Sequence, residues 1–98
     1  MEEDGHHRLG TLPVVEPPEI RPYAADPPYR QIAAWLKARI EAGEFGPDEP
    51  LPSEKSLVET FGVARETARK AVQALRDEGL VITVAHRGTY VVPEDQRP

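Results

Sequence analysis

The chain has 98 residues, the size of one small domain, since domains usually run from about 50 to 250 residues. Its 12 basic and 17 acidic side chains give a net charge of −5, and the absence of cysteine excludes disulfides and thiolate metal sites. No apolar stretch approaches the roughly 20 residues that cross a bilayer, and the N-terminus lacks a secretory signal. We therefore expect a soluble cytoplasmic protein without membrane contact, bound metal or cofactor.

The acidic charge lies mainly outside the middle of the chain. Residues 1–27 carry two basic and six acidic side chains, whereas residues 28–92 carry nine of each. Six prolines between positions 13 and 28 keep helix and sheet from propagating there. The composition predicts three segments: a Pro-rich acidic tail over 1–26 that is disordered or extended, a folded domain over 27–93, and a short C-terminal tail over 94–98.

The first predicted helix covers residues 28–42. Its apolar residues recur at steps of three and four and share one face, which consists of Tyr29, Ile32, Ala33, Leu36 and Ile40. Gly43 follows as a C-terminal cap, and three prolines over 47–52 keep the helix from resuming. Trp35 lies off this face, and we expect it to be buried under the tail or the hairpin rather than to join two copies of the chain.

Two shorter helices are predicted close together. The second covers 53–61, where the Ser53 hydroxyl can cap the first turn, and Gly62 ends it. The third covers 65–78 and starts after Ala64, which has no capping group. Its predicted core face consists of Ala68, Ala71, Val72 and Leu75.

A two-stranded hairpin is predicted over 80–92. Apolar and β-branched residues alternate on both sides of a turn at 85–88. Because a two-stranded hairpin is marginal in water, its apolar side must lie against the helices. The predicted fold is therefore mainly α with a small β-hairpin: a winged helix-turn-helix of three helices and a two-stranded wing.

The third helix is the segment that carries the predicted function. In a helix-turn-helix the second helix of the pair enters the major groove of DNA, and its N-terminal residues reach base edges. Arginine grips guanine O6 and N7 with two bonds, and threonine contacts a thymine methyl group or a phosphate. Arg65, Thr67 and Arg69 are therefore the predicted reader residues. In an isolated helix the same face would more simply be solvated, but the order helix, turn, helix, hairpin favours DNA.

Residues 28–92 resemble the winged helix-turn-helix of the GntR family of bacterial transcription regulators. The resemblance lies in an ordered series of short motifs: Tyr29-Arg30-Gln31-Ile32, Ile40-Glu41-Ala42-Gly43, Leu51-Pro52-Ser53-Glu54-Lys55, Phe61-Gly62-Val63, then Arg65, Thr67, Arg69 and Ala71, and finally Glu78-Gly79-Leu80 and Gly88-Thr89-Tyr90-Val91. Any one motif is weak, whereas their order and spacing are specific. The resemblance implies DNA binding and transcription regulation.

The resemblance also implies roles for single positions. Lys55, where the family usually has arginine, would contact the DNA backbone as a point charge. Gly88 would let the wing backbone approach the minor groove, flanked by His86 and Arg87. The full set of candidate DNA-binding residues is Lys55, Ala64, Arg65, Glu66, Thr67, Arg69, Lys70, His86, Arg87 and Gly88.

Three departures from the family pattern affect these roles. Ala64 stands where serine or threonine is usual, which removes a helix cap. Glu66 replaces a neutral residue; it would repel phosphates, or accept a hydrogen bond from cytosine N4 and so encode preference. His86 replaces a wing glycine and makes the turn less permissive.

The sequence predicts a sequence-specific DNA-binding transcription regulator of GntR type whose partner is double-stranded DNA. The alternative is a winged helix that contacts protein rather than DNA, which the zero net charge of 28–92 would suit. We expect no enzyme activity, because no catalytic constellation appears at usable spacing. The effector and dimerisation domain usual in the family is absent from this chain, so we expect a monomer or weak homodimer in isolation.

Overall fold

The computed structural model describes residues 16–98 and places three helices before an antiparallel hairpin. The elements are α1 (Pro28–Glu41), α2 (Glu54–Phe61), α3 (Arg65–Asp77), β1 (Val81–Val84) and β2 (Gly88–Val91), with a 3-10 turn at Glu94–Gln96. The predicted fold class is confirmed. Each helix differs from its predicted range by one residue, because Ala42, Ser53 and Glu78 are caps rather than helical residues. Within residues 16–98, no helix is long and apolar enough to cross a membrane.

The hydrophobic core lies between the three helices and is joined by one strand residue. Ile32 and Leu36 of α1, Leu57 of α2 and Leu75 of α3 are fully buried, and Val81 of β1 packs with them. The predicted core face of α3 is buried in full: Ala68, Ala71, Val72 and Leu75. Burial of this face fixes the rotation of α3 about its own axis and so determines which of its side chains reach solvent.

The turn between α2 and α3 is short and closed by backbone hydrogen bonds. The Ser53 hydroxyl accepts a hydrogen bond from the Ser56 backbone N–H at 3.0 Å, so the predicted cap of α2 is confirmed. At the other end Gly62 has φ +65°, a left-handed conformation that costs glycine little, and its N–H donates to the Val58 carbonyl. Only residues 62–64 separate the two helices, so the turn restricts the angle between them.

The start of α3 lacks a side-chain cap, as predicted from Ala64. Its backbone carbonyl accepts hydrogen bonds from Thr67 and Ala68, but no side chain caps the free amides of the first turn. We expect Ala64→Ser to raise the free energy of unfolding by about 0.5–2 kcal/mol, measured by urea denaturation. Ala34→Ser on the exposed side of α1 is the control, because a serine within a helix lowers stability slightly. Equal gains from both variants would contradict the cap interpretation.

The hairpin is anchored on two sides. Val81 pairs with Val91, and Thr83 with Thr89, in an antiparallel register. On the outer edge of β2 the Leu51 backbone N–H donates to the Thr89 carbonyl at 2.8 Å, and Pro50 forms a bridge with Tyr90. The loop that precedes α2 therefore extends the hairpin by one bridge and ties the wing to the helices.

Residues 16–26, which we call the N-terminal strap, run along α1 without forming a helix or strand. The Gln31 side chain donates to the carbonyl oxygens of Arg21 and Asp26 and accepts from the Arg21 backbone N–H. Trp35 donates from Nε1 to the Glu16 carbonyl at 3.1 Å, and the residue is 8% exposed. The predicted burial of Trp35 is confirmed, and of the two covers expected, tail or hairpin, the tail is the one whose backbone its indole contacts. Residues 1–15 of the predicted tail lie outside the described residues.

Candidate nucleic-acid interface

The side of α3 that faces away from the core is exposed and highly charged. Arg65, Glu66, Arg69 and Lys70 are exposed, and Thr67 is half-buried. The helical spacing that buries the core face places these residues on the remaining circumference. The two predicted arginine readers therefore lie in solvent on the N-terminal half of the helix, where a partner can reach them.

Glu66 and Arg69 form a two-pronged ion pair on this surface. The Nε atom of Arg69 donates to one carboxylate oxygen of Glu66 at 3.0 Å, and Nη2 donates to the other at 2.5 Å. The hydrogen bond from Arg69 lowers the pKa of Glu66, and the same bond raises the pKa of Arg69. The pair occupies one edge of the guanidinium and leaves the edge formed by Nη1 and the second Nη2 hydrogen unused by Glu66. That edge carries two parallel donors, which is the pattern that matches guanine.

A groove between α1 and α3 continues this charged surface. It has a volume of about 460 Å³, and its lining includes Tyr29, Arg30, Arg69 and Lys70. The Arg30 guanidinium lies 5.3 Å and the Lys70 ammonium 6.0 Å from the centre of the Tyr29 ring. At exposed sites such an attraction favours a position near the ring by about 0.5–1 kcal/mol. The groove thus places two side chains of α1 beside the predicted DNA-binding residues of α3.

A second cleft lies between the start of α2 and the wing. Its volume is about 440 Å³, and Lys55, Arg87 and Gly88 contribute to its walls. The first is a predicted phosphate-binding residue, and the other two are predicted minor-groove residues. These three are distant in the sequence, and the Pro50 and Leu51 contacts with β2 bring them to one cleft.

Two residues of the wing turn have positive φ angles, and one of them is not glycine. His86 adopts φ +65°, the left-handed region that non-glycine residues seldom occupy, which agrees with the predicted loss of permissiveness where a glycine is usual. Gly88 has φ +133°, and a Cβ atom added to it would lie 3.3 Å from the Cβ of Pro50. Glycine at position 88 therefore meets both a backbone and a packing requirement. His86 and Arg87 are exposed at the tip.

The predicted site residues fall into two groups on the structure. One group lies on or just before α3: Ala64, Arg65, Glu66, Thr67, Arg69 and Lys70. The other combines Lys55 on α2 with His86, Arg87 and Gly88 on the wing. Sequence reasoning missed Tyr29 and Arg30 as neighbours of the first group. Both belong to the first motif of the family resemblance, but that motif did not indicate contact with α3, because only the packing of α1 on α3 brings them to Lys70.

These elements define the class of protein. Two helices, α2 and α3, are joined by a three-residue turn and followed by a hairpin, and the second helix buries one face while its arginines Arg65 and Arg69 are exposed. This arrangement is the winged helix-turn-helix of DNA-binding regulators.

Comparisons with known proteins give the family. Residues 28–91 match the family described as bacterial regulatory proteins, gntR family. The chain is 48% identical over 65 residues to the HTH-type transcriptional repressor NagR of Bacillus subtilis, which is 66% of this chain and 27% of that protein. It is 40% identical over 68 residues to the mannosyl-D-glycerate transport/metabolism system repressor MngR of Escherichia coli, 69% of this chain and 28% of the relative. The chain belongs to the gntR family of bacterial regulatory proteins, a family of DNA-binding transcription regulators.

Solved structures share the fold. The GntR-family transcription factor YtrA from Sulfolobus acidocaldarius is similar with a TM-score of 0.68 and 36% identity, over 78% of this chain and 80% of that one. The DNA-binding domain of AraR, solved in complex with operator ORR3, is similar with a TM-score of 0.64 and 38% identity, over 67% and 80% of the respective chains. Measured against NagR and MngR, the chain spans about a quarter of its relatives' length.

Proposed function

We propose that this chain reads double-stranded DNA for a bacterial transcription regulator in the cytoplasm, with the N-terminal half of α3 in the major groove and the wing beside the minor groove. The observation that carries the proposal is the two-sidedness of α3. Four of its side chains are locked in the core, while Arg65 and Arg69, on its N-terminal half, lie outside this buried set and are exposed. The similar AraR domain was solved on operator DNA.

The roles of the α3 residues follow from their chemistry. Arg65 and Arg69 each offer two parallel donors to guanine O6 and N7, which is the commonest specific contact of the major groove. Thr67 offers a methyl group to thymine or a hydroxyl to a phosphate. Lys70 offers a charge to the backbone and lies beside Arg69 in the groove shared with α1. Ala64, at the N-cap, leaves the first amides of α3 without a side-chain partner, and such amides suit a phosphate.

The second group of residues would hold the flanking backbone. Lys55 is exposed on α2 and suits a phosphate as a point charge. Arg87 suits the negative potential of a narrow minor groove, with His86 beside it at the tip. Gly88 lets the wing backbone approach the sugar-phosphate chain closely. These contacts supply affinity and register, whereas the α3 contacts supply sequence choice.

The distribution of charge over the domain is more favourable for DNA binding than its net charge suggests. Residues 28–92 are neutral as a whole, yet four of their nine acidic residues lie at positions 41–49, in and after the last turn of α1. Arg65, Arg69 and Lys70 lie instead in the first two turns of α3, where Glu66 is the one acidic residue, so this half of the helix carries a net charge of +2. A local positive surface attracts phosphates even when the sum over the domain is zero, because screening limits each charge to a range of about 10 Å.

A single module of this size makes a small footprint on DNA, and reading two half-sites requires a dimer. We expect the chain alone to be a monomer or weak homodimer that binds one half-site.

The proposal is tested by the salt dependence of DNA binding. Fluorescence anisotropy with a labelled random-sequence duplex gives the logarithm of affinity against the logarithm of salt concentration. We expect a steep negative slope for the wild-type chain, about −0.9 for each phosphate neutralised. Lys55→Ala should make that slope shallower by about 0.9, since it removes one phosphate contact.

Arg21→Ala is the matched control for this experiment. Its side chain is exposed on the N-terminal strap, so the variant loses the same charge without changing a residue of α2, α3 or the wing. We expect its salt slope to equal that of the wild type. A flat response of the wild-type chain would exclude DNA binding and favour a protein partner instead.

A further inference from the structure

A chain of side-chain hydrogen bonds connects the last turn of α3 to both strands of the wing. Arg76 donates from Nη2 to the amide oxygen of Gln73 at 2.9 Å and from Nη1 to the Thr83 hydroxyl. The Thr83 and Thr89 hydroxyls are hydrogen-bonded to each other across the strands at 3.1 Å. Gln73 is held in turn, because its amide nitrogen donates to Asp77 at 2.8 Å. One guanidinium therefore bridges the helix that carries the reader residues and the hairpin that carries the tip.

The bridge lies at the level of the hairpin where it can influence the orientation of the wing tip. At the base of the wing Val81 is buried in the core and pairs with Val91. The next pair on the same face is Thr83 with Thr89, and only the pair Val84 with Gly88 separates it from the turn that bears Arg87. Two threonines bury little apolar area, so side-chain packing fixes this level of a two-stranded ribbon weakly, and the Leu51–Thr89 backbone hydrogen bond holds only the outer edge of β2. Arg76 supplies the contact to α3 at the level where the apolar contacts end.

We propose that Arg76 is a positioning residue that sets the orientation of the wing relative to α3, through Thr83 and Thr89, so that both elements engage one DNA duplex together. The inference rests on the proposed DNA-binding function. Arg76 does not need to touch DNA for this role. Its contribution is to hold the wing tip in place before binding, which reduces the orientational freedom that the complex must remove.

The test is a set of variants that break the bridge from either end. Thr83→Val removes the acceptor while keeping a β-branched residue and the net charge, and Arg76→Ala removes the donor. We expect each to weaken binding to a duplex selected from a randomised pool by about threefold to thirtyfold, a range seen for coupling between contacting residues. The double variant should bind no more weakly than Arg76→Ala alone. Thermal melts and circular dichroism establish that each variant is folded.

A second cycle with Arg87→Ala separates positioning from a structural or purely electrostatic role. If Arg76 acts by holding the wing, Arg87→Ala costs much less affinity in the Arg76→Ala or Thr83→Val background than in the wild type. Arg76→Lys should recover part of the loss, because one ammonium can still donate to Thr83. Additive losses, or a loss in Arg76→Ala with none in Thr83→Val, overturn the inference. Absence of salt-dependent DNA binding by the wild-type chain would instead refute the proposed function itself.

Discussion

Leu75→Ala is expected to lower the free energy of unfolding by about 2–5 kcal/mol, the range for removing a fully buried leucine side chain. Leu75 is 0% exposed and lies at the centre of the face that joins α3 to the rest of the core. A single small core rarely supplies more than about 3–5 kcal/mol in total, so the variant should be largely unfolded at 37 °C. Urea denaturation followed by circular dichroism at 222 nm would measure the change.

Ile82→Ala is the matched control, because Ile82 is a comparably large aliphatic residue that is 53% exposed on β1. It pairs across the hairpin with Tyr90, and its truncation should cost about 1 kcal/mol or less. Equal destabilisation by the two variants would contradict the assignment of the core to the helix face. DNA binding should be lost in Leu75→Ala only in proportion to the unfolded fraction, since the Leu75 side chain is fully buried in the core and cannot contact DNA.

The helices and their buried faces could be predicted from the sequence because the signal for them is local. Spacing of three and four between apolar residues depends only on the helical repeat, and the α3 face from Ala68 to Leu75 repeats it without interruption. The caps are local as well: Ser53 acts on an amide three residues away, and Gly62 on the turn it closes. These elements needed no knowledge of their neighbours in space.

The contacts that tie the elements together had no local signal. The Trp35 indole donates to the Glu16 carbonyl, and the Leu51 amide donates to the Thr89 carbonyl, because tertiary packing brings distant residues together. Trp35 could be expected to be buried, since a tryptophan on a small domain seldom remains exposed, but the strap could not be distinguished from the hairpin as its cover. The bridge from Arg76 to Thr83 is of the same kind.

The candidate site was predictable as a face and not as a set of contacts. Helical spacing alone places Arg65 and Arg69 outside the set of core residues. The same spacing puts Glu66 one turn before Arg69, a separation at which opposite charges meet. Sequence reasoning treated Glu66 as a group acting on DNA by repulsion or by a cytosine contact, and it did not anticipate the ion pair with Arg69 that the structure shows.

Arg69→Ala is expected to reduce the affinity for a duplex selected from a randomised pool by about tenfold to a hundredfold, the range for a two-bond contact with guanine. Binding to random-sequence DNA should fall much less, by the loss of one charge alone. The ratio of the two affinities, measured by fluorescence anisotropy at one salt concentration, is therefore the informative quantity. A reduction of both affinities by the same factor would mean that Arg69 contacts a phosphate and no base.

Glu66→Ala tests how Arg69 is held for this contact. The carboxylate fixes Nε and Nη2, so its removal frees the guanidinium to rotate and should lower the selected-to-random ratio. Affinity for random DNA should rise at the same time, because a negative charge near the phosphates is gone. Glu59→Ala, exposed on α2, removes the same charge without touching Arg69 and should leave the ratio unchanged. If Glu66→Ala raises both affinities equally, the carboxylate only repels DNA. The alternative outcome is a selected-to-random ratio that falls in Glu66→Ala and is the same in the double variant as in Arg69→Ala alone. In that case the two side chains act together in reading the base.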